Sequence, residues 1–225
     1  MTKKTGVAAI DNTDAFYIRG SDECGYGAWA GPLVVCAAIV PREWSGNNDV
    51  TDSKVLTEKA RQDLAVKYMK TVTWAIISVK PAEIDAVGVW RALHAAHRKA
   101  LDDVLKKHEE DGCVGGLLTV VDGNLEIDGA IALPKADLLV PAVSIASILG
   151  KVARDKFMEK EAERFPGYNF AKNKGYGTPD HQEGLVKLGI CEIHRKSYAP
   201  VARLVKKQEV MDQPTEMWAA FEDDE

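Results

Sequence analysis

Four carboxylates stand out for the chemistry they could do together: Asp22 and Glu23, side by side, then Asp122 and Asp137. Adjacent carboxylates repel unless a proton or a cation sits between them. A glycine-rich stretch follows the first pair at once, Gly25-Tyr26-Gly27 and then Ala30-Gly31-Pro32. Asp122 leads into Gly123-Asn124, and Asp137 follows Lys135-Ala136. Taken singly, each stretch is also an ordinary turn or loop acid. The glycines come near a dinucleotide fingerprint, but that fingerprint needs a helix after the loop. Pro32 and an apolar, β-branched run at 33–40 follow instead, so that reading is set aside.

The elements that must position these acids read as strands and helices in alternation. Residues 15–20 form a first strand feeding the acid pair, and 33–40 a second, antiparallel strand ended by Pro41. A helix spans about 57–69 with Thr57 as N-cap, then a strand about 71–80. Pro81 opens a long helix, roughly 82–107. His94 and His97 lie three apart on it and, with no third ligand adjacent, read as packed histidines rather than metal ligands. The apolar run 117–121 repeats the logic of the first strand by delivering Asp122 at its end. A helix at about 144–164 follows the apolar segment 138–143 and stops at Pro166-Gly167-Tyr168. The basic, glycine-rich stretch 172–178 suits a loop laid along a phosphate backbone, with Tyr176 offering a face to a sugar or base. Thr178 and Pro179 start a further helix, to about residue 188.

Composition narrows the class. Apolar residues make up 46% of the chain, enough for a sizeable core. No apolar stretch is long enough to span a membrane, and the N-terminal run is too short for a signal peptide. The four cysteines lie far apart and suggest neither zinc nor a disulfide framework, so a reducing, cytoplasmic setting is expected. The net charge of −5 is uneven. Residues 208–225 carry seven acids and no Lys or Arg, which leaves 29 basic against 27 acidic residues in 1–207. A body with that balance is compatible with a polyanionic partner. Residues 1–207 are therefore read as one catalytic domain and 208–225 as an acidic, flexible tail.

In order and spacing, these motifs resemble the type 2 ribonuclease H family, ribonuclease HII, from about residue 17 to 200. The resemblance rests on Asp22-Glu23-Cys24-Gly25-Tyr26-Gly27, Asp52-Ser53-Lys54, Asp122-Gly123-Asn124 and Lys135-Ala136-Asp137. It continues through the segment 144–155, Asn173-Lys174-Gly175-Tyr176-Gly177-Thr178, His181 and His194-Arg195. It implies an α/β, RNase H-like fold: a five-stranded mixed sheet flanked by helices, with a helical C-terminal part. It implies a monomeric endonuclease that cuts the RNA strand of RNA/DNA hybrids and cuts 5′ to single ribonucleotides in duplex DNA. Such an enzyme serves ribonucleotide excision repair and RNA primer removal.

By matching positions, Asp22, Glu23, Asp122 and Asp137 would be the catalytic, metal-binding carboxylates, with Mg²⁺ or Mn²⁺ as cofactor. Gly25, Tyr26, Gly27, Lys54, Ser144, Ser147, Lys151, Lys174 and Tyr176 would meet the nucleic acid. His181 and His194 are expected to form structural hydrogen bonds. The set suits the chemistry, since Mg²⁺ prefers carboxylates, phosphate oxygens and water, and only the 2′-hydroxyl separates ribose from deoxyribose. Two departures stand out. Tyr26 occupies the place of the family's arginine, which removes a charge-assisted phosphate contact. Gly150 stands where the family commonly has alanine. A relative with broader hybrid cleavage and a non-catalytic binder of the same fold are the alternatives, and the acidic tail is a candidate contact for a replication partner.

Overall fold

The computed structural model describes residues 7–44 and 56–211. Asp52, Ser53, Lys54 and the tail from residue 212 onward lie outside the described residues. Side chains in a strand alternate between its two faces, and this period sets the layers of the molecule. In β1 (Tyr17–Cys24) Ile18, Gly20 and Asp22 face α5 (Pro141–Arg164), whereas Arg19, Ser21 and Glu23 face α4 (Val89–Glu110). β2 (Leu33–Pro41) is buried at every residue from Leu33 to Val40 because both helices cover it. That double burial explains its unbroken apolar run.

The sheet has five strands in the order β3-β2-β1-β4-β5, with β3 at Thr73–Val79, β4 at Leu117–Asp122 and β5 at Ala130–Leu133. β1 runs antiparallel to β2 and parallel to β4, so the sheet is mixed as expected. The helix α2 (Glu58–Thr71) packs outside α5, and α3 (Pro81–Val87) precedes α4. A short α1 (Ala8–Asp11) precedes the sheet and buries Ile10. At the C-terminal side α6 (Phe170–Asn173), α7 (Pro179–Leu188) and α8 (Ala199–Met211) complete the chain. A small core of Met158, Tyr168, Phe170, Leu185 and Ile193 joins this part to Ala30, next to the glycine-rich loop. Among the described residues no helix is long and apolar enough to cross a membrane.

Four differences from the sequence expectations have clear causes. β1 does not stop before the acids: its pairing with β2 continues through Asp22↔Cys36 and Glu23↔Val35. The expected helix 82–107 is two helices, broken at Gly88, which adopts φ +83°. α5 begins at Pro141, three residues early, with proline supplying the helical φ at the first position. Thr178 does precede α7, but its hydroxyl is buried without a hydrogen bond and forms no cap. Thr57, in contrast, caps α2 as expected, accepting from the Ala60 amide at 3.2 Å.

Two glycines in this core should respond oppositely to alanine. A Cβ on Gly20 would lie 2.4 Å from the Val143 amide of α5, a main-chain clash that must push helix from sheet. Gly20→Ala should therefore cost at least about 2 kcal/mol in denaturant unfolding. A Cβ on Gly150, inside α5, would meet Cys36 at 3.4 Å and Val34 at 4.0 Å, ordinary contacts with β2. Gly150→Ala should be stabilising by up to about 1 kcal/mol.

Candidate active site

The parallel pairing of β1 with β4 assembles the acids. Its last registered pair is Ser21↔Val121, so Asp22 and Asp122 follow it at the same level on neighbouring strands. The carboxyl ends of adjacent parallel strands are where α/β sheets place their ligands. β5 supports this end, with Leu133 opposite Asp122 and the Gly123 amide donating to the Leu133 carbonyl at 3.2 Å. After β5 the chain turns at Lys135, in left-handed geometry, into a single 3-10 turn, Ala136–Leu138. That turn brings in Asp137, whose amide points at Asp122 Oδ1 from 3.4 Å.

Asp22 is 7% exposed. Burial, and next the Glu23 carboxylate, push it up to about 8, against hydrogen bonds from the Ser147 hydroxyl and the Glu23 amide. The amide contact is 2.8 Å. Burial and then Asp137 raise Asp122 as well. Glu23 leaves on the other face of the sheet, 29% exposed at its side chain, with Oε2 3.5 Å from His97 Nε2. The four acids thus repel one another from two strands and one turn, and a proton or cation must compensate them. Among the described residues no three His, Cys, Asp or Glu side chains already converge as a metal cage. Mg²⁺ seldom uses such a cage: it takes one or two carboxylates, retained waters and substrate phosphates. An open set of hard oxygen donors that includes two buried acids, Asp22 and Asp137, fits that chemistry.

Beside the acids, the loop 25–32 is fastened from behind by two arginines with no solvent exposure, Arg154 and Arg195. Arg154 donates to the carbonyls of Pro32 (2.9 Å) and Ala30 (3.2 Å). Arg195 donates to those of Gly31 (3.0 Å) and Tyr26 (2.9 Å). Neither has an ion-pair partner among the described residues, so carbonyl oxygens, joined at Arg195 by the Tyr198 hydroxyl at 2.9 Å, solvate these charges. Gly25, at φ +87°, makes room for Arg154: a Cβ there would lie 2.1 Å from its Nε. Gly27 differs, since open space surrounds its missing Cβ. With the loop carbonyls turned inward, the amides of Tyr26 and Gly27 have no partner among the described residues. Sequence reading assigned no task to either arginine. Their signal, one charge among several in the helical run 151–156 and one beside His194, becomes informative only with burial.

The other expected contacts fall into two groups. Tyr176 is 38% exposed, next to the loop, with the Arg154 guanidinium 5.3 Å from its ring centre. Its hydroxyl meets Cys24 and the Gly25 main chain, and burial raises it. Tyr26 is exposed. Ser147 bonds Asp22, whereas buried Ser144 gives its hydroxyl to the main-chain oxygens of Asp137 and Val140. Ser144 therefore holds the Asp137 turn against α5. Lys151 pairs with Asp155 at 3.3 Å, and Lys174, 15% exposed at its side chain, pairs with Glu159. A phosphate would have to compete with those carboxylates.

His181 and His194 form the structural hydrogen bonds expected of them. His181 Nδ1 donates to the Tyr176 carbonyl at 2.9 Å, so its Nε2 must accept from His194 Nε2 at 3.0 Å. His194 Nδ1 then accepts from the Cys191 amide at 2.9 Å. Every tautomer in this chain is fixed, and the chain holds the main chain of Tyr176. Burial, then His181, lower His194 to about 4, and burial lowers His181 too. The unfolded chain then binds more protons than the folded one below about pH 6.5. The stability these rings confer is complete above that pH and is lost as pH falls toward 4. In unfolding titrations the loss from His194 should be on the order of 3 kcal/mol across that window. His194→Gln should be less stable at pH 7 and have a shallower acid slope.

Comparison with known proteins places this arrangement. A sequence model of the ribonuclease HII family matches residues 19–201. Ribonuclease HII of Thermus thermophilus is 40% identical over 190 residues, covering 83% of this chain and 88% of that protein. Among solved structures, ribonuclease H2 from Pyrococcus horikoshii superposes with a TM-score of 0.71 at 23% identity, covering 86% of this chain and 99% of that one. Bst-RNase HIII in complex with Mn²⁺ gives 0.70 at 19% identity, covering 90% and 73%. The two structures establish the RNase H-like fold, and the sequence matches establish the kinship. The chain belongs to the ribonuclease HII family and is a hydrolytic nuclease of the ribonuclease H kind.

Proposed function

We propose that this chain is a divalent-metal-dependent endonuclease that cuts the RNA strand of RNA/DNA hybrids. On this reading it also cuts 5′ to single ribonucleotides embedded in duplex DNA, leaving 5′-phosphate and 3′-hydroxyl ends. The observation that carries the reading is the placing of Asp22 and Asp122 one residue past the last pair of two adjacent parallel strands, with Asp137 beside Asp122, next to a loop whose Tyr26 and Gly27 amides have no partner among the described residues. Asp22, Glu23, Asp122 and Asp137 would hold Mg²⁺ or Mn²⁺. When bound, such ions supply an activated water and charge neutralisation at the leaving oxygen.

The chain's own residues supply selection. The outward amides of Tyr26 and Gly27 are hydrogen-bond donors where a ribose 2′-hydroxyl can accept, and deoxyribose has no such group. Arg195 keeps the Gly27 amide outward by holding the Tyr26 carbonyl, on the opposite side of the same trans peptide, inward. Tyr176 presents its ring beside them for a sugar, held by the His181–His194 pair through its carbonyl. Tyr26 itself cannot reproduce a guanidinium–phosphate contact. Broader hybrid cleavage with weak preference for a lone ribonucleotide is therefore the second reading, and the same assay decides it.

Labelled duplexes should be compared with Mg²⁺, with Mn²⁺ and with chelator: one with a single ribonucleotide, one all-DNA, one a long hybrid. Metal-dependent cutting 5′ to the lone ribonucleotide, with all-DNA intact, is the expected result. Cutting confined to the long hybrid would favour the second reading, and metal-independent binding without cutting would overturn both. Asp122→Asn should lower the rate at least about 100-fold. Tyr26→Arg should steepen the salt dependence of duplex binding, adding about 0.9 to the log–log slope.

A further inference from the structure

The sequence gives His97 no task beyond packing, yet its surroundings are polar where an apolar side chain would suffice. It lies in the apolar stripe of α4, fully buried, against the face of β1 that carries Ser21 and Glu23. Ser21 is also fully buried, and its Oγ is 2.9 Å from His97 Nδ1. His97 Nε2 is buried without a hydrogen bond, 3.5 Å from Glu23 Oε2. The two β1 residues are two apart, so they share a face, and one imidazole spans them.

Donor counting fixes the proton. With Nδ1–H donating to Ser21, the serine hydroxyl would have no acceptor among the described residues, and the lone pair of Nε2 would face a carboxylate. With Ser21 donating to Nδ1, the serine is satisfied, and Nε2–H points at the Glu23 oxygen. The second arrangement leaves one long contact instead of two faults. At 3.5 Å that contact lies at the outer limit of a hydrogen bond, and such bonds at reaction centres often tighten only in the loaded complex.

We infer that His97, held as its Nε2–H tautomer by Ser21, is a positioning residue that aims the Glu23 carboxylate at the cation site. It rests on the reading of Glu23 as a metal-binding acid. His97 would claim Oε2 from within the protein and so leave Oε1 for the cleft. Ser21 acts one step further back, through the imidazole alone.

The tautomer can be read without metal or substrate. Long-range ¹H–¹⁵N spectra of the full chain, with His97→Leu identifying the signal, should show His97 protonated at Nε2 with a bare Nδ1. Ser21→Ala should change that pattern. A wild-type ring protonated at Nδ1 would overturn the inference. In the cleavage assay, His97→Leu should raise the half-saturating Mg²⁺ concentration about tenfold, with the KM for hybrid unchanged within about twofold. His97→Gln, whose amide can still donate, should recover most of the loss. Equal effects of Leu and Gln, or none, would reduce His97 to packing. If wild type does not cut at all, the proposed function fails, and the spectrum still decides the tautomer.

Discussion

Repulsion among acids at the ends of two parallel strands is the constraint around which this molecule is built. Asp22 and Asp122 stand level with each other because β1 and β4 are in parallel register. Neither can move away without breaking a ladder that the core on both faces requires. Glu23 and Asp137 add charge from the opposite face and from the following turn. Among the described residues Asp22 receives a hydroxyl and an amide, and it is pushed up to about 8 by burial and by Glu23. A fold that carries such a cluster is less stable for it, and on the proposed function the cation that relieved the repulsion would also be the one phosphodiester hydrolysis needs.

The cationic side of the site follows the same economy. Arg154 and Arg195 are fully buried, yet each donates to carbonyls of the loop rather than to a carboxylate. An acid beside them would neutralise the charge and compete for the guanidinium donors. Carbonyls instead solvate the guanidinium while the loop is pulled into one shape. The positive charge beneath the loop cannot reach out to a phosphate as an exposed arginine can.

Much of this was legible in the sequence, for reasons that differ by element. The unbroken apolar run of β2 and the acid after the apolar run of β4 are strong one-dimensional signals, and both strands are present. Thr57 caps its helix because that interaction is local. β5 is four residues long and half-buried, too short for its period to show, and only its pairing with β4 creates it. The break at Gly88 hides inside continuous helical spacing because the apolar faces of α3 and α4 both point at the sheet. The separation of Asp22 and Glu23 onto opposite faces is implied by strand period, but it requires knowing that β1 continues through them. His97 looks like core from sequence, and only the two polar atoms flanking it make it more than that.

The most direct test of the central claim is metal binding by the acids themselves. Mn²⁺ would be titrated into the full chain while the signal of free ion is followed by electron paramagnetic resonance. Asp22→Asn, Asp122→Asn and the exposed control Glu110→Gln would be measured alongside. The account predicts saturable binding to wild type and the control, and a loss of at least tenfold in affinity in both aspartate variants. Equal binding by all four proteins would contradict it, because the cluster would then not be where the cation sits.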